Sequence, residues 1–196
     1  MSERDPLLDV PVRALLGELA SSARSPGSGA VAALVASLSA ALIESAAADW
    51  SEGENAAARV GVLRERVGEL AQENAEAFRA ARASLHDLPH ELEGTERDLV
   101  LGMTLLHAAD VPLAIAEAAC ELATLGALVA ERGHPRQRPD AVAATLLAGA
   151  AAVAATKLVS VNLVVTPGDE RDARADELAA AAAAALERAL RTALEP

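Results

Sequence analysis

The chain has 196 residues, 52% of them apolar and 23% charged, which favours a packed core over global disorder. Alanine dominates the apolar share, with one Phe, one Trp and no Tyr, so the composition favours helices that bury little area per residue. The net charge of −12 argues against a nucleic-acid partner and against binding to anionic membrane surfaces.

The spacing of apolar residues predicts an all-α protein of five or six long helices, most simply an antiparallel bundle. The predicted helices cover residues 7–20, 30–48, 56–85, 95–131, 140–161 and 170–194. Pro112 predicts a kink or break near residues 109–111, because proline removes a helical hydrogen bond and crowds the preceding turn. Asp140 is predicted to cap the fifth helix. No segment shows a clear strand pattern.

Two uncharged stretches resemble membrane spans, but residues 30–43 and 141–156 are 14 and 16 residues long, against roughly 20 for a span. We therefore expect buried helices in a soluble, cytoplasmic protein with no membrane partner and a single domain over residues 1–196. Cys120 is the only cysteine, so no disulfide framework is expected. A thin, alanine-rich core predicts a homodimer.

The most informative segment is the turn from Ser25 to Gly29, which reads Ser-Pro-Gly-Ser-Gly and leads directly into the second predicted helix. Proline fixes one φ angle, and glycines allow left-handed or closely approached backbone. The amides at a helix N-terminus lack intrahelical partners and favour an anionic or electron-rich ligand group. The same pattern also fits an ordinary turn.

Residues 26–34, Pro-Gly-Ser-Gly-Ala-Val-Ala-Ala-Leu, resemble the signature of the cyclodeaminase/cyclohydrolase family of folate one-carbon metabolism. The resemblance continues in the same order along most of the chain. Similar segments are residues 74–78 (Asn-Ala-Glu-Ala-Phe), residues 88–90 (Leu-Pro-His), Arg97, residues 111–117 (Val-Pro-Leu-Ala-Ile-Ala-Glu), Asp140 and residues 158–163 (Leu-Val-Ser-Val-Asn-Leu). Each segment is unspecific alone, and their shared order carries the resemblance.

The chain departs from the family pattern mainly at polar positions. Ser28 replaces the middle glycine of the turn, Asn74 replaces an aspartate, His90 replaces a lysine, and Leu158 replaces an asparagine. The family often has a further lysine where residues 50–55 have none. Because an Asp→Asn change keeps shape but removes proton-transfer capacity, the scaffold is better retained than the site.

The resemblance implies one of two reactions. A cyclodeaminase closes 5-formiminotetrahydrofolate to 5,10-methenyltetrahydrofolate with loss of ammonia, and a cyclohydrolase opens the methenyl bridge to 10-formyltetrahydrofolate. Both need proton transfer at nitrogen and stabilisation of a tetrahedral carbon. No cofactor beyond the folate substrate and no metal is expected, since the four histidines and the carboxylates show no metal-ligand spacing.

The resemblance also implies roles for individual residues. Asp140 is the first candidate for acid/base catalysis, with a helix cap as its alternative, and Asn74 is the second catalytic candidate, with a buried structural amide as its alternative. Residues implied in substrate binding are Ser25, Gly27, Ser28, Gly29, Asn162, Arg97 and His90. Asn162 could instead make an interhelical hydrogen bond, and Arg97 could simply begin a helix.

Two functional hypotheses follow from these residues. An enzyme of folate metabolism predicts that Asp140, Asn162, Asn74 and the Ser25–Gly29 turn converge on one cleft. A silent relative, which keeps the dimeric helical fold as a binding or scaffold protein, is motivated by Asn74 and Leu158. An unrelated bundle of similar composition is the third interpretation.

Overall fold

The computed structural model describes residues 6–21, 26–50, 53–86, 100, 103, 106, 108–164 and 166–193. This part of the chain is helical, with no strand, which confirms the predicted all-α class. Its six α-helices are α1 (Val12–Ala20), α2 (Ser28–Ala47), α3 (Glu54–His86), α4 (Asp110–Arg132), α5 (Arg138–Asn162) and α6 (Glu170–Ala193), with a 3-10 turn, Pro135–Gln137, before α5.

The three most apolar helices, α2, α4 and α5, pack against one another in the centre of the bundle. The more highly charged α3 lies against α2 and α4, and α6 lies against α4 and α5. The large buried side chains at the centre include Ile43, Leu70, Ile115 and Leu122, with alanines filling most of the remaining core. Burying one face of α3 and α6 leaves their charged faces outside.

Small residues set the distances between the central helices. The Ser39 hydroxyl of α2 donates a buried hydrogen bond of 2.8 Å to the Ala144 carbonyl of α5. A methyl group added at Gly126 of α4 would lie 2.6 Å from the Thr145 hydroxyl oxygen of α5. Helices that meet through glycine, alanine and serine approach closely, which compensates for the small area that each alanine buries.

Two features of α4 and α5 refine the sequence interpretation. The break expected at Pro112 is present, since α4 begins at Asp110 and proline is tolerated within a first helical turn. Asp140 does not cap α5: the helix begins at Arg138, Gln137 is its N-cap, and no side chain caps it. Pro139 fits the first turn, so the helix starts earlier than predicted and Asp140 lies inside it.

Within the described ranges, three helical segments are long and apolar enough to cross a membrane, by length and composition alone: Ser28–Ala47, Asp110–Arg132 and Pro135–Asn162. These helices are longer than the uncharged stretches within them, and a membrane span tolerates one or two charges. Within the bundle 50%, 61% and 56% of their most apolar windows are buried. These helices supply most of the core.

Candidate functional site

One end of the bundle holds a cleft of about 260 Å³ where four helices meet. It lies between the N-terminus of α2, the middle of α3, the start of α4 and the C-terminus of α5. Its walls are formed by Ser28, Gly29, Asn74, Ala77, Phe78, Ala81, Arg82, Ala108, Pro112, Leu158, Val161 and Asn162. The cleft is mainly apolar with a few polar groups, which is typical of small-molecule sites.

The glycines of the turn are required by close packing against α3. Gly27 has a φ of 90°, in the left-handed region that favours glycine. A methyl group there would also lie 3.0 Å from Cγ of Phe78. At Gly29 the added methyl would lie 2.7 Å from Cγ of Asn74. The two glycines therefore seat the start of α2 directly on two cleft residues of α3.

The N-terminus of α2 opens beside the cleft without a side-chain cap. Gly27 is the N-cap residue and offers no side chain to accept a hydrogen bond. The first intrahelical bond joins the Val31 amide to the Gly27 carbonyl at 3.3 Å, so the amides of Ser28 and Gly29 have no intrahelical acceptor. These donors and the positive end of the helix dipole favour an electron-rich or anionic group.

Asn74 is 7% exposed and its amide is in contact with Gly29. A buried amide normally has partners, and this one borders the cleft. Its carbonyl and NH2 groups are thus placed to bind a ligand that offers one donor and one acceptor.

Asn162 joins the C-terminus of α5 to the start of α4. Its Nδ2 donates a hydrogen bond of 2.9 Å to the Ala108 carbonyl. In a continuous helix that carbonyl would accept from residue 112, but Pro112 has no amide hydrogen. The proline that breaks the helix therefore frees the carbonyl that orients Asn162. Asn162 therefore makes the predicted structural hydrogen bond to a neighbouring element, and it also lines the cleft.

Arg82 supplies positive charge at the cleft in a chain with a net charge of −12. Its guanidinium lies 5.9 Å from the centre of the Phe78 ring, a cation–π geometry that orients the side chain. Among the lining residues that the structure describes there is no carboxylate and no imidazole. These residues can bind and polarise a ligand, but a proton-transfer group is not among them.

The structure brings together some of the predicted site residues and separates others. Ser28, Gly29, Asn74 and Asn162 line the cleft, and Gly27 lies directly behind it. Asp140 does not join them: it is exposed in the first turn of α5, twenty-two residues before Asn162, or about 33 Å away along the helix. Ser25, His90 and Arg97 fall outside the described residues.

Arg82, Ala108 and Pro112 line the cleft but were not predicted as site residues. Helical periodicity does place Arg82 on the cleft face, since Asn74, Phe78 and Arg82 follow one another at intervals of four. No local signal identifies Ala108, because its role depends on contact with the distant Asn162. Leu158 and Val161 share the face of Asn162, so the family asparagine that Leu158 replaces points to the cleft.

No group of three or more His, Cys, Asp or Glu residues in the described ranges is arranged to hold a metal ion. Cys120 is buried among core residues, and burial raises the pKa of its thiol. Its environment is that of a small core residue.

The described residues define an all-helical bundle with a mainly apolar cleft at one end. The model of the formiminotransferase-cyclodeaminase family matches residues 11–180. The chain therefore belongs to this family, which confirms the resemblance seen in the sequence.

A solved structure shares this fold almost from end to end. The formiminotetrahydrofolate cyclodeaminase of Thermotoga maritima superposes with a TM-score of 0.76 over 95% of this chain and 96% of that chain, at 21% identity. No curated protein matches the sequence. At this identity the likeness shows a common fold.

Proposed function

We propose that this protein acts in folate one-carbon metabolism, on the methenyl bridge between N5 and N10 of a tetrahydrofolate. The reaction would be methenyltetrahydrofolate cyclohydrolysis or formiminotetrahydrofolate cyclodeamination. The observation that carries the proposal is the convergence of Ser28, Gly29, Asn74 and Asn162 on one cleft. These residues come from three different helices and match the segments that resemble the family.

The chemistry of the cleft suits a reduced pterin. A pterin offers a lactam edge with adjacent donors and acceptors, and the Asn74 amide can pair with both kinds of group. Apolar walls formed by Ala77, Phe78 and Pro112 would cover its faces. The volume of about 260 Å³ is just below the usual range for ligand sites, roughly 300 Å³ upward, so the ring end would be enclosed and the tail would extend out.

Charge supports the orientation of such a ligand. A folate carries carboxylates on its glutamyl tail, and a protein of net charge −12 must attract them locally. Arg82 is the described lining residue that carries a positive charge. In the hydrolytic reaction, the N-terminus of α2 would stabilise negative charge on the oxygen that water adds to the bridge carbon. In this proposal Arg82 binds the tail, while α2 and the two asparagines hold the reacting end.

A second candidate, the silent relative, is favoured by one specific observation. Where the family has an aspartate the chain has Asn74, and the described lining residues include no carboxylate or imidazole. An amide positions a ligand but transfers no proton at neutral pH. A protein of this kind would bind folate and keep the fold without turnover.

The test combines binding with turnover. The wild-type protein is mixed with 5,10-methenyltetrahydrofolate, binding is measured by calorimetry, and hydrolysis is followed by loss of the methenyl absorbance. Turnover supports the enzyme, and binding without turnover supports the silent relative. Absence of both contradicts the folate assignment.

The Asn74→Asp variant refines this test because it restores the carboxylate of the family with almost no change in volume. If Asn74 alone silences the site, the variant gains turnover of at least about a hundredfold, the lower end of the range that one acid/base group contributes. Asn74→Ala is the matched control, since it removes the amide without supplying a carboxylate. Equal behaviour of the two variants would contradict a proton-transfer role at this position.

We also propose that the protein is a cytoplasmic homodimer without nucleic-acid or membrane partners. Support comes from the outward faces of α2 and α5, neighbouring helices that both rest on α4. We call these side chains the α2–α5 face; they are the exposed apolar residues Leu38, Leu42, Leu147, Val153 and Val161. A second copy placed there would add the apolar burial that an alanine-rich core lacks.

A further inference from the structure

We propose that Arg171 is a positioning residue for the cleft, because it holds the start of α4 against the C-terminus of α5. This inference rests on the proposed ligand-binding role of the cleft. Arg171 is in the first turn of α6, does not line the cleft, and has no counterpart among the segments that resemble the family.

Three polar groups from two parts of the chain accept hydrogen bonds from the Arg171 guanidinium. Its Nη1 donates to the Leu106 carbonyl at 3.0 Å and to Oδ1 of Asp110 at 2.5 Å. Its Nε and Nη2 donate to the two carboxylate oxygens of Asp169 at 2.9 and 2.8 Å. One planar group therefore ties Leu106 and Asp110 to the beginning of α6.

Asp169 fixes the direction in which Arg171 points. The carboxylate accepts from the guanidinium on both oxygens and also from the Arg171 backbone amide, at 3.0 Å. The side chains of Arg171 and Asp169 are 20% and 15% exposed, so water competes little for these bonds. The pair also lowers the pKa of Asp169 to about 2. A side chain held in this way can fix its other partners in position.

The segment that Arg171 holds is part of the cleft wall. Leu106 and Asp110 flank Ala108, whose side of the cleft also includes Pro112. The Ala108 carbonyl is the acceptor for Asn162 Nδ2. Loss of Arg171 removes two hydrogen bonds from this segment. Among the described contacts, the Asn162 bond is then its remaining side-chain hydrogen bond, beside the apolar packing of Leu106 and Ala109 in the cluster with Val159. We infer that Arg171 keeps Asn162 oriented toward the ligand.

The chain offers a matched control on the same pair of helices. Arg188 of α6 makes a similar two-pronged pair with Glu131 of α4, at 2.9 and 2.6 Å. It lies seventeen residues further along α6, or about 25 Å from Arg171 along the helix. Arg171→Ala and Arg188→Ala each remove one α6–α4 ion pair, but only the first pair adjoins the cleft.

The experiment measures the dissociation constant of 5,10-methenyltetrahydrofolate for the wild type, Arg171→Ala, Arg171→Lys and Arg188→Ala. Arg171→Ala is expected to bind about tenfold more weakly, as for other supporting contacts, and Arg188→Ala to bind within about twofold of wild type. Arg171→Lys should recover only part of the loss, because one ammonium cannot reach all three acceptors. Equal losses in both alanine variants would show a general stability effect and overturn the proposal.

A second measurement does not depend on folate. Hydrogen exchange of the backbone amides in residues 108–116 should be faster in Arg171→Ala than in wild type and unchanged in Arg188→Ala. If the wild type does not bind the folate, the proposed function fails, while faster exchange still supports the clamp. Unchanged exchange in Arg171→Ala overturns the clamp whatever the result for folate.

Discussion

At the scale of single residues, the cleft depends on a glycine that leaves room for a buried side-chain amide. Gly29 and Asn74 come from different helices, and the absence of a side chain at the first leaves room for the amide of the second. The asparagine replaces a family aspartate but keeps its shape, so the packing is retained while the acid/base capacity is lost. Binding and chemistry can therefore be separated by mutation at these positions.

Gly29→Ala should reduce ligand binding. The new methyl group would lie 2.7 Å from Cγ of Asn74, so the amide must move away from its position at the cleft. We expect a destabilisation of about 1–3 kcal/mol from overpacking and a clearly weaker affinity for methenyltetrahydrofolate. Calorimetry and urea unfolding measure the two effects.

The control is Gly61→Ala on α3, where the nearest atom to the new methyl is 3.7 Å away, an ordinary contact. Replacing a glycine within a helix by alanine favours folding by roughly 0.5–1 kcal/mol. If Gly29→Ala bound the ligand as well as Gly61→Ala does, the account of the Asn74 position would be wrong.

Asp140→Ala and Asn162→Ala distinguish the sequence-based assignment from the observed cleft. Asn162 lines the cleft and holds the start of α4, so its loss should weaken binding severalfold. Asp140 is exposed and lies about 33 Å along α5 from Asn162, so its loss should leave binding unchanged. A loss of binding in Asp140→Ala would instead support the catalytic role implied by the resemblance.

At the scale of elements, the helices are held together by small residues inside and by arginine–carboxylate pairs outside. Gly126 allows α4 to approach Thr145 and Ile43 in the buried core. Gly149 allows α5 to approach the Leu186 side chain of α6, which is only partly buried. The neighbours of the two glycines differ in rigidity, so alanine substitutions at the two positions should change the free energy of unfolding by different amounts.

Gly126→Ala should destabilise the fold more than Gly149→Ala. At residue 126 the methyl would lie 2.6 Å from the Thr145 hydroxyl oxygen, which is fixed by its bond of 2.7 Å to the Ala141 carbonyl. At residue 149 it would meet the end of Leu186, which can rotate outward. We expect about 1–3 kcal/mol for the first and below about 1 kcal/mol for the second, measured by urea unfolding. Equal losses would contradict this account of the packing.

The acid stability of the α6 N-terminus should depend on Asp169. Arg171 lowers the pKa of this carboxyl to about 2, from its ordinary value of 3.8. A carboxyl whose pKa is lower in the folded state stabilises the fold above its unfolded pKa, and this contribution is lost as pH falls through the folded pKa. We expect Asp169→Asn to lower the Tm at pH 6 and to match the wild type near pH 2. A difference in Tm that did not shrink over this range would argue against the pair.

At the scale of the whole molecule, the distribution of apolar surface decides what the bundle associates with. The charged residues lie mainly on α3 and α6, whereas the α2–α5 face is apolar and adjoins the cleft through Val161. A monomer rarely exposes such a face without a partner. If a second copy of the chain covers this face, the protein is a dimer in buffer. If a lipid surface covers it, the protein is not a dimer in buffer and inserts into vesicles.

Leu38→Glu tests the proposed dimer. Leu38 is 65% exposed on the α2–α5 face, so a charge there should prevent association without disturbing the core. Light scattering should show the mass falling from twice 20.0 kDa to 20.0 kDa. The control is Val62→Glu on α3, which is 59% exposed away from that face and should leave the dimer intact. A monomeric wild type would contradict the proposal, and insertion into lipid vesicles would favour a membrane role.

The sequence by itself determined the helices, because helix formation is a local property of alanine-rich segments with breakers such as Pro112 and the turn before Ser28. It also determined the family, since the order of short motifs survives along most of the chain. These local signals predicted that the turn, Asn74 and Asn162 would matter.

Only the tertiary structure decided which of these residues share a site. Asn74 meets Gly29 and Asn162 meets Ala108 through packing between helices that are distant in the chain. The same packing adds Arg82 to the cleft. The distance between Asp140 and Asn162, by contrast, follows from the length of α5, which the predicted helix over residues 140–161 already implied. Side-chain convergence depends on how whole helices pack, and that information is not contained in any one segment.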